Sequence, residues 1–345
     1  MCIKQKLSLF MFNNRNDYFC NPSRVLNSII FISVISILSS FIFFGYSNLI
    51  VFGQESNSQP QSKDINIVVA GDFYCNGQTE DTIENIISVN PELIITTGDH
   101  VKDEQSADCW IEMSKPIKDK MKIAIGNHDI EFSNIYKQIV DHHSIKNPYY
   151  SHEFENVHFI STSTEHPFEE GSKQYEFIKD DLVKTSKNKD IDWIIVHQHK
   201  PFYSTHVDRE EAEELRDSLL PLFEKYDVDL VISGHNQYYE RTYPILYNKE
   251  IEDTTDEEAI PQPIITDSSP SNYKNTKGIK FLTVGTAGDE LSGPEENPNY
   301  LVIQDNKEYG FLNLKLENNG KTLVGEFRTG EDDNNILDNF NLIKS

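Results

Sequence analysis

The chain has 345 residues, with 31 Lys or Arg against 56 Asp or Glu, so its formal net charge is −25. This length suits one large domain or two smaller ones with a substantial core. Such an acidic chain is a poor partner for duplex nucleic acid, because binding there depends on basic residues that neutralise phosphates. An anionic ligand would need a local positive site, which bound metal ions can supply.

The first part of the chain divides into a basic, an apolar and a polar segment. Residues 1–24 carry four basic residues and one acidic residue, and no charged residue lies between Arg24 and Glu55. About 20 apolar residues can cross a bilayer, and the preceding basic flank places the rest of the chain outside the cytoplasm. We expect residues 25–53 to be a transmembrane signal anchor or a cleaved signal peptide. Residues 54–63 form a linker, so the folded part is membrane-anchored and extracytoplasmic, or secreted.

From residue 64 onward, short apolar runs alternate with helical stretches. The runs are nearly continuous and rich in β-branched residues, which is typical of strands buried on both faces. The predicted strands are Ile65–Ala70, Leu93–Thr97, Met121–Ile125, Ile191–Val196 and Val228–Ser233. The predicted helices are Glu80–Val89, Ala107–Lys120, Ser133–Val140, Ser172–Ser186 and Arg209–Tyr226. This alternation predicts an α/β fold.

Further strands predict a second sheet. They are a hairpin of Tyr149–Phe154 with Val157–Ser163, and then Ile279–Val284, Tyr300–Gln304, Phe311–Glu317 and Thr322–Arg328. We expect this sheet to pack on the first, with helices on the outer faces. The domain would span residues 64–330, with residues 331–345 as a C-terminal tail. The acidic segment 249–258 is expected to be a solvated loop.

Polar residues that can bind metal follow each of the first five strands. The endings are Gly71-Asp72, Gly98-Asp99, Gly126-Asn127-His128-Asp129, His197-Gln198-His199 and Gly234-His235. Each ending alone is typical of a turn, a helix cap or a surface histidine. Because the carboxyl ends of parallel strands meet at one crevice, the five together predict a shared site. Carboxylates, an amide oxygen and imidazoles form a ligand set for a divalent metal ion.

With the residues that follow them, the five endings read GD, GDHVK, GNHD, VHQHKPFYS and GHNQYYER. This series closely resembles the five-block signature of calcineurin-like metallophosphoesterases, in their purple-acid-phosphatase-like branch. The resemblance covers roughly residues 64–244. It implies two packed mixed β-sheets flanked by helices in an αββα arrangement. It also implies hydrolysis of phosphate mono- or diesters with one or two divalent ions, Fe, Mn or Zn.

Carried over residue by residue, the resemblance implies two adjacent metal sites. Asp99 would bridge both ions. The residues that complete one site would be Asn127, His199 and His235, and Asp72 would belong to the other.

Two histidines match substrate-side positions of the family. His128 would hydrogen-bond the phosphate or assist the leaving group. His206, seven residues after His199, would also lie on the substrate side, although an ordinary loop residue is an equal alternative.

Three departures from the family pattern affect the site of Asp72. Lys102 stands where the family has a tyrosine ligand, Gln237 where it has a histidine, and Tyr74 where it has glycine or histidine. Gln237 could offer its amide oxygen, or His100 or Tyr74 could serve as a ligand instead. Alternatively no ion binds there, and the Lys102 ammonium supplies a positive charge. We expect weak or no occupancy, so a catalytically degenerate protein that binds phosphate or a partner stays open.

Two cysteines lie in the part expected to be exported, where disulfides can form. Cys75 and Cys109 each follow a predicted strand by a short loop. If those strands are neighbours in a parallel sheet, both loops emerge at the same edge. This favours a Cys75–Cys109 disulfide over two buried thiols.

Overall fold

The structure, a computed structural model, describes residues 64–102, 107–205, 209–252, 260–294, 296–330 and 335–345. The predicted basic segment, membrane segment and linker lie outside these ranges. Within them, no helix combines the length and the apolar character needed to span a bilayer.

The described residues form helices and strands in alternation over the first two thirds of the fold and mostly strands thereafter. The helices are α1 (Gly77–Ser88), α2 (Ala107–Ser114), α3 (Asn127–Glu131), α4 (Ser133–His142), α5 (Lys173–Thr185), α6 (Arg209–Lys225) and α7 (Lys249–Glu252). The strands are β1 (Ile65–Ala70), β2 (Leu93–Thr96), β3 (Met121–Ile123), β4 (Tyr150–Phe154), β5 (Val157–Ser161), β6 (Trp193–His197), β7 (Leu230–Ser233), β8 (Tyr239–Thr242), β9 (Ile245–Leu246), β10 (Ile264–Ile265), β11 (Asn272–Lys274), β12 (Lys280–Val284), β13 (Leu301–Asp305), β14 (Gly310–Glu317), β15 (Thr322–Thr329) and β16 (Asn335–Ile343).

The strands build two seven-stranded sheets and a small β9–β10 ribbon. The first sheet has the order β11-β16-β15-β14-β1-β2-β3, and the second has the order β13-β8-β12-β7-β6-β5-β4. Strands β1, β2 and β3 are parallel, and so are β5, β6, β7 and β12. Both sheets also contain antiparallel strands, such as β14 beside β1 and β8 beside β12. The expected fold of two mixed sheets flanked by helices is confirmed.

Strand β1 shows why the apolar runs are continuous. Ile67 and Val69 point into the core between the two sheets, where Phe159 and Ile195 of the other sheet also lie. Val68 belongs instead to the core beneath helices α1, α2 and α4. Since successive side chains of a strand point to opposite faces, a strand covered on both sides must be apolar throughout. A third core lies between the second sheet and helices α5 and α6.

The predicted C-terminal tail, residues 331–345, is wrong. Residues 335–343 form β16, which pairs with β15 on one side and with β11 on the other. The buried Asp338 of this strand accepts a hydrogen bond from Arg241 Nε at 2.6 Å and one from Tyr239 Oη at 2.8 Å. The last strand is therefore tied to β8 of the opposite sheet. Its pattern was hard to recognise because a charged residue occupies a core-facing position.

The predicted disulfide between Cys75 and Cys109 is confirmed, with Cα atoms 6.1 Å apart. Cys75 lies in the loop between β1 and α1, and Cys109 lies in α2. A link across 34 residues is worth about 3–4 kcal/mol in the loop-entropy account. The bond therefore restrains the segment that begins at Asp72.

Candidate metal centre

Four side chains from four different strand ends meet at one point. Asn127 Oδ1 lies 2.9 Å from His199 Nε2 and 3.1 Å from His235 Nδ1. Asp99 Oδ2 lies 3.2 Å from His199 Nε2. Two ligand atoms, each about 2.1 Å from one ion, are roughly 3 Å apart when they subtend a right angle. The separations therefore fit ligands of a single cation, and the structure brings together the four residues expected at this site.

The ring of His199 is oriented by the backbone. Its Nδ1 lies 2.8 Å from the carbonyl oxygen of Thr97, to which it donates a hydrogen bond. Such a bond fixes the tautomer and directs Nε2 toward the other donor atoms. Burial lowers the pKa of His199, but the Asp99 carboxylate and the neighbouring Asp72 raise it to about 10. A cation at this point would take the place of that imidazole proton.

The Asp99 carboxylate is held in its charged form. Burial raises the pKa of this group, but the charge and the hydrogen bond of His199 bring it down to about 2. The backbone N–H of His128 also donates to Asp99 Oδ1 at 3.0 Å. This carboxylate therefore carries a full negative charge at neutral pH.

The backbone at these positions adopts an uncommon conformation. The φ angles of Asp72, Asp99 and His235 are 59°, 50° and 70°. Positive φ is uncommon for residues other than glycine, and such residues cluster at functional sites. A Cβ atom on Gly126 would lie 2.1 Å from Asp99 Oδ1, and one on Gly234 would lie 2.3 Å from Asp72 Oδ2. Glycine at these two positions therefore makes room for the carboxylates.

Asp72 lies beside the four-residue cluster with one oxygen unsatisfied. The backbone N–H of His235 donates to Asp72 Oδ2 at 2.9 Å. Asp72 Oδ1 is buried without a hydrogen-bond partner in the described part of the chain. Burial raises the pKa of this carboxyl group well above its usual range. A buried carboxylate oxygen without a partner is costly, and a cation would satisfy it.

The amide of Gln237 is engaged by groups other than Asp72. Its Nε2 donates to the carbonyl oxygen of His235 at 2.8 Å, and its Oε1 accepts from Ser292 Oγ at 3.2 Å. Tyr74 lies at the turn into α1, where its backbone N–H and C=O both bond to Thr79 Oγ1. The geometry does not favour Gln237 as a metal ligand.

His100 and Lys102 are also engaged within the fold. His100 Nε2 lies 2.7 Å from Thr96 Oγ1, and its Nδ1 lies 2.9 Å from Asp129 Oδ2. With both ring nitrogens in use, His100 does not fit the compensating ligand that we considered. Lys102 Nζ donates to Asp289 Oδ2 at 2.6 Å.

Of the two histidines predicted to lie on the substrate side, the structure describes only His128. The His128 side chain is 27% exposed at the rim of the cluster, and its Nδ1 lies 3.3 Å from Glu131 Oε2. Its ring is therefore accessible to a bound substrate. His206 lies outside the described residues.

Asp129 is a residue of the site to which sequence reasoning assigned no role. Its carboxylate accepts hydrogen bonds from the backbone N–H groups of Gly126, Asp99 and His100 at 2.9, 3.1 and 2.8 Å. The His100 ring provides a fourth partner. Asp129 thus joins the loop after β2 to the loop after β3. The only available signal was its place at the end of the GNHD block.

Another buried carboxylate, Glu240 of β8, bonds to the loop after β6 and to β13. Glu240 accepts a hydrogen bond from Thr205 Oγ1 and one from Gln304 Nε2 at 2.6 Å. Burial raises its pKa to about 7. Asn236 Nδ2 donates to Ser204 Oγ at 3.0 Å, so the loop after β6 is tied to the loop after β7.

Comparison with known proteins identifies the family. The calcineurin-like phosphoesterase profile matches residues 65–239, just over half of the chain. Purple acid phosphatase 15 of Arabidopsis thaliana is 26% identical over 235 residues, which cover 56% of this chain and 44% of that protein. The probable inactive purple acid phosphatase 1 of the same plant is 31% identical over 204 residues, covering 57% and 30%. The chain thus spans less than half of the length of these relatives.

Solved structures share the fold. A purple acid phosphatase from yellow lupin (Lupinus luteus) seeds has a TM-score of 0.68 at 23% identity, covering 83% of this chain and 55% of that one. GAP50, the anchor in the inner membrane complex of Plasmodium, has a TM-score of 0.57 at 16% identity, covering 81% and 89%. At these identities the likeness shows the fold alone. Together with the family profile, the strand-end motifs and the relatives, it places the chain in the calcineurin-like phosphoesterase family, and the resemblance to the purple-acid-phosphatase-like branch is confirmed.

Proposed function

We propose that this chain hydrolyses phosphate mono- or diesters with a divalent ion held by Asp99, Asn127, His199 and His235. The convergence of these four side chains carries the proposal: Asn127 Oδ1 lies 2.9 Å from His199 and 3.1 Å from His235, and the ligand atoms of Asp99, His199 and His235 lie within 4.8 Å of one another. Family membership and relatives named as purple acid phosphatases support the class of reaction. The proposed centre has one intact site and one weakened site, at Asp72.

The protein residues have distinct parts in this reaction. When bound, a divalent ion supplies positive charge to the phosphoryl oxygens and activates water for attack on phosphorus. The His128 ring, at the rim, is placed to donate a hydrogen bond to the phosphate or a proton to the leaving oxygen. The mixed oxygen and nitrogen donors suit Fe, Mn or Zn.

The proposed location is outside the cytoplasm. The Cys75–Cys109 disulfide suits an oxidising compartment. The uncharged segment 25–53 supports either membrane anchoring or secretion after cleavage.

A second candidate function is the binding of phosphate or a protein partner without catalysis. The changes at Lys102 and Gln237 favour it, and one relative carries the name of a probable inactive phosphatase. The two candidates differ in whether turnover depends on the metal ligands.

The test compares the purified full chain with its His199→Ala variant on p-nitrophenyl phosphate and bis(p-nitrophenyl) phosphate. Both proteins are loaded with Mn²⁺, Zn²⁺ or Fe²⁺. We expect His199→Ala to lower kcat by at least about 100-fold, because it removes a buried ligand of the centre. His142→Ala, on α4, is the matched control and should keep the wild-type rate. Equal background rates for wild type and His199→Ala would refute the hydrolase and favour the binding protein.

A further inference from the structure

The position where the family holds a second ion does not fit a second ion in this chain. Asp72 is there, with one unsatisfied oxygen. The amide oxygen of Gln237 accepts a hydrogen bond from Ser292 Oγ at 3.2 Å. His100 has both ring nitrogens engaged elsewhere. Within the ranges that the structure describes, neither Gln237 nor His100 is thus free to serve as the additional ligand that a tight second site requires.

An ion pair lies next to this position. Lys102 Nζ donates to Asp289 Oδ2 at 2.6 Å, and the two side chains are 29% and 9% exposed. The backbone N–H of Asp289 donates to the carbonyl oxygen of Asp72 at 2.9 Å. Asp289 is therefore fixed against the loop that carries Asp72, and Lys102 is fixed against Asp289.

The charges explain why such a pair would be needed. Asp72 and Asp289 are two buried carboxylates on neighbouring loops, and Asp99 adds a third in the adjoining cluster. Buried carboxylates without a nearby cation are strongly unfavourable. A divalent ion is one solution, and a lysine ammonium that belongs to the chain is another.

We infer that the Lys102–Asp289 ion pair takes the place of the second metal ion, so that the centre holds one divalent ion per chain. The inference rests on the proposed function only for the position of the first ion. Lys102 replaces a metal ligand of the family by a cation. Asp289 gives that cation a buried partner.

The first experiment needs no variant. The purified full chain is loaded with excess Mn²⁺ and desalted, and the metal content per chain is measured by mass spectrometry. Electron paramagnetic resonance then reports whether the ions are isolated or coupled. We expect one Mn²⁺ per chain and the spectrum of an isolated ion. Two ions with a spin-coupled spectrum would overturn the inference, and so would a chain that binds none.

The second experiment restores the family ligands with the double substitution Lys102→Tyr and Gln237→His. We expect its Mn²⁺ content to rise from one toward two, with spin coupling. Lys115→Tyr, at a lysine whose side chain is 71% exposed, is the matched control and should stay at one. A folded double variant that still binds one ion would count against the inference. Should the double variant fail to fold, the wild-type measurement alone decides.

The outcome is separable from that of the proposed function. One ion per chain without hydrolysis would uphold the inference and refute the hydrolase. Two coupled ions with hydrolysis would overturn the inference and uphold the hydrolase.

Discussion

At the scale of single residues, buried acidic side chains have two different tasks in the centre. Asp99 is placed to bind the cation, whereas Asp129 binds backbone N–H groups and positions the loops that carry Asp99 and Asn127. Charge-assisted hydrogen bonds of this kind are about twice as strong as neutral ones. Asp129 therefore fixes the separation of Asp99 and Asn127, two of the proposed metal ligands.

We predict that Asp129→Ala weakens Mn²⁺ binding about 10- to 100-fold, because the two loops lose their shared carboxylate. Isothermal titration calorimetry on the purified chain measures the change. Asp129→Glu should recover part of the affinity, which a merely structural loss would not show. Asp141→Ala, at an exposed position of α4, is the control. Wild-type affinity in a folded Asp129→Ala variant would contradict the assigned role.

The sequence predicted the proposed ligands more readily than the residues around them. Asp99, Asn127, His199 and His235 directly follow apolar strands, so their convergence follows from strand order and polarity. The direction of the Gln237 side chain depends instead on partners such as Ser292, 55 residues away. Contacts of that kind leave no local signature in the sequence.

At the scale of elements, β16 is a strand that the sequence did not predict, because its stability depends on contacts with distant residues. Its core-facing positions include Asp338, Phe340 and Leu342, so the apolar alternation of a strand is interrupted by a carboxylate. Its partners Arg241 and Tyr239 make this position tolerable, and they lie 97 and 99 residues away in the other sheet. The parallel strands were predictable because their runs are apolar throughout.

We predict that Asp338→Ala lowers the free energy of unfolding by about 3–5 kcal/mol. The change would leave the buried Arg241 guanidinium without its carboxylate, which is the costly way to break a buried ion pair. Urea denaturation followed by circular dichroism gives the value. Asn339→Ala, the next residue on the exposed face of β16, should cost less than about 1 kcal/mol. Similar losses for the two variants would show that the pair contributes no more than ordinary strand packing.

At the scale of the whole molecule, the site is built where two sheets meet. The five motif strands are divided between them, with β1, β2 and β3 in the first sheet and β6 and β7 in the second. The alternation of strands and helices predicted the fold class and the shared crevice. It did not predict that β14 would lie beside β1, or β12 beside β7. Those pairings join distant parts of the chain, and local patterns do not specify them.

The net charge of −25 should oppose the approach of an anionic phosphate ester to this centre. Raising the ionic strength from about 0.01 M to 0.15 M shortens the screening length from about 30 Å to 8 Å, which removes most long-range repulsion. We therefore predict that kcat/KM for p-nitrophenyl phosphate, a dianion, rises a few-fold over this range of NaCl concentration.

The monoanionic bis(p-nitrophenyl) phosphate is the control for that measurement. Because repulsion scales with the charge of the substrate, kcat/KM for this monoanion should rise less than kcat/KM for the dianion. A rise of equal size for both esters would point to a general effect of salt on the protein. A fall for the dianion would mean that local cations, such as Lys102, His128 and the bound ion, outweigh the acidic surface at the distances where encounter is decided.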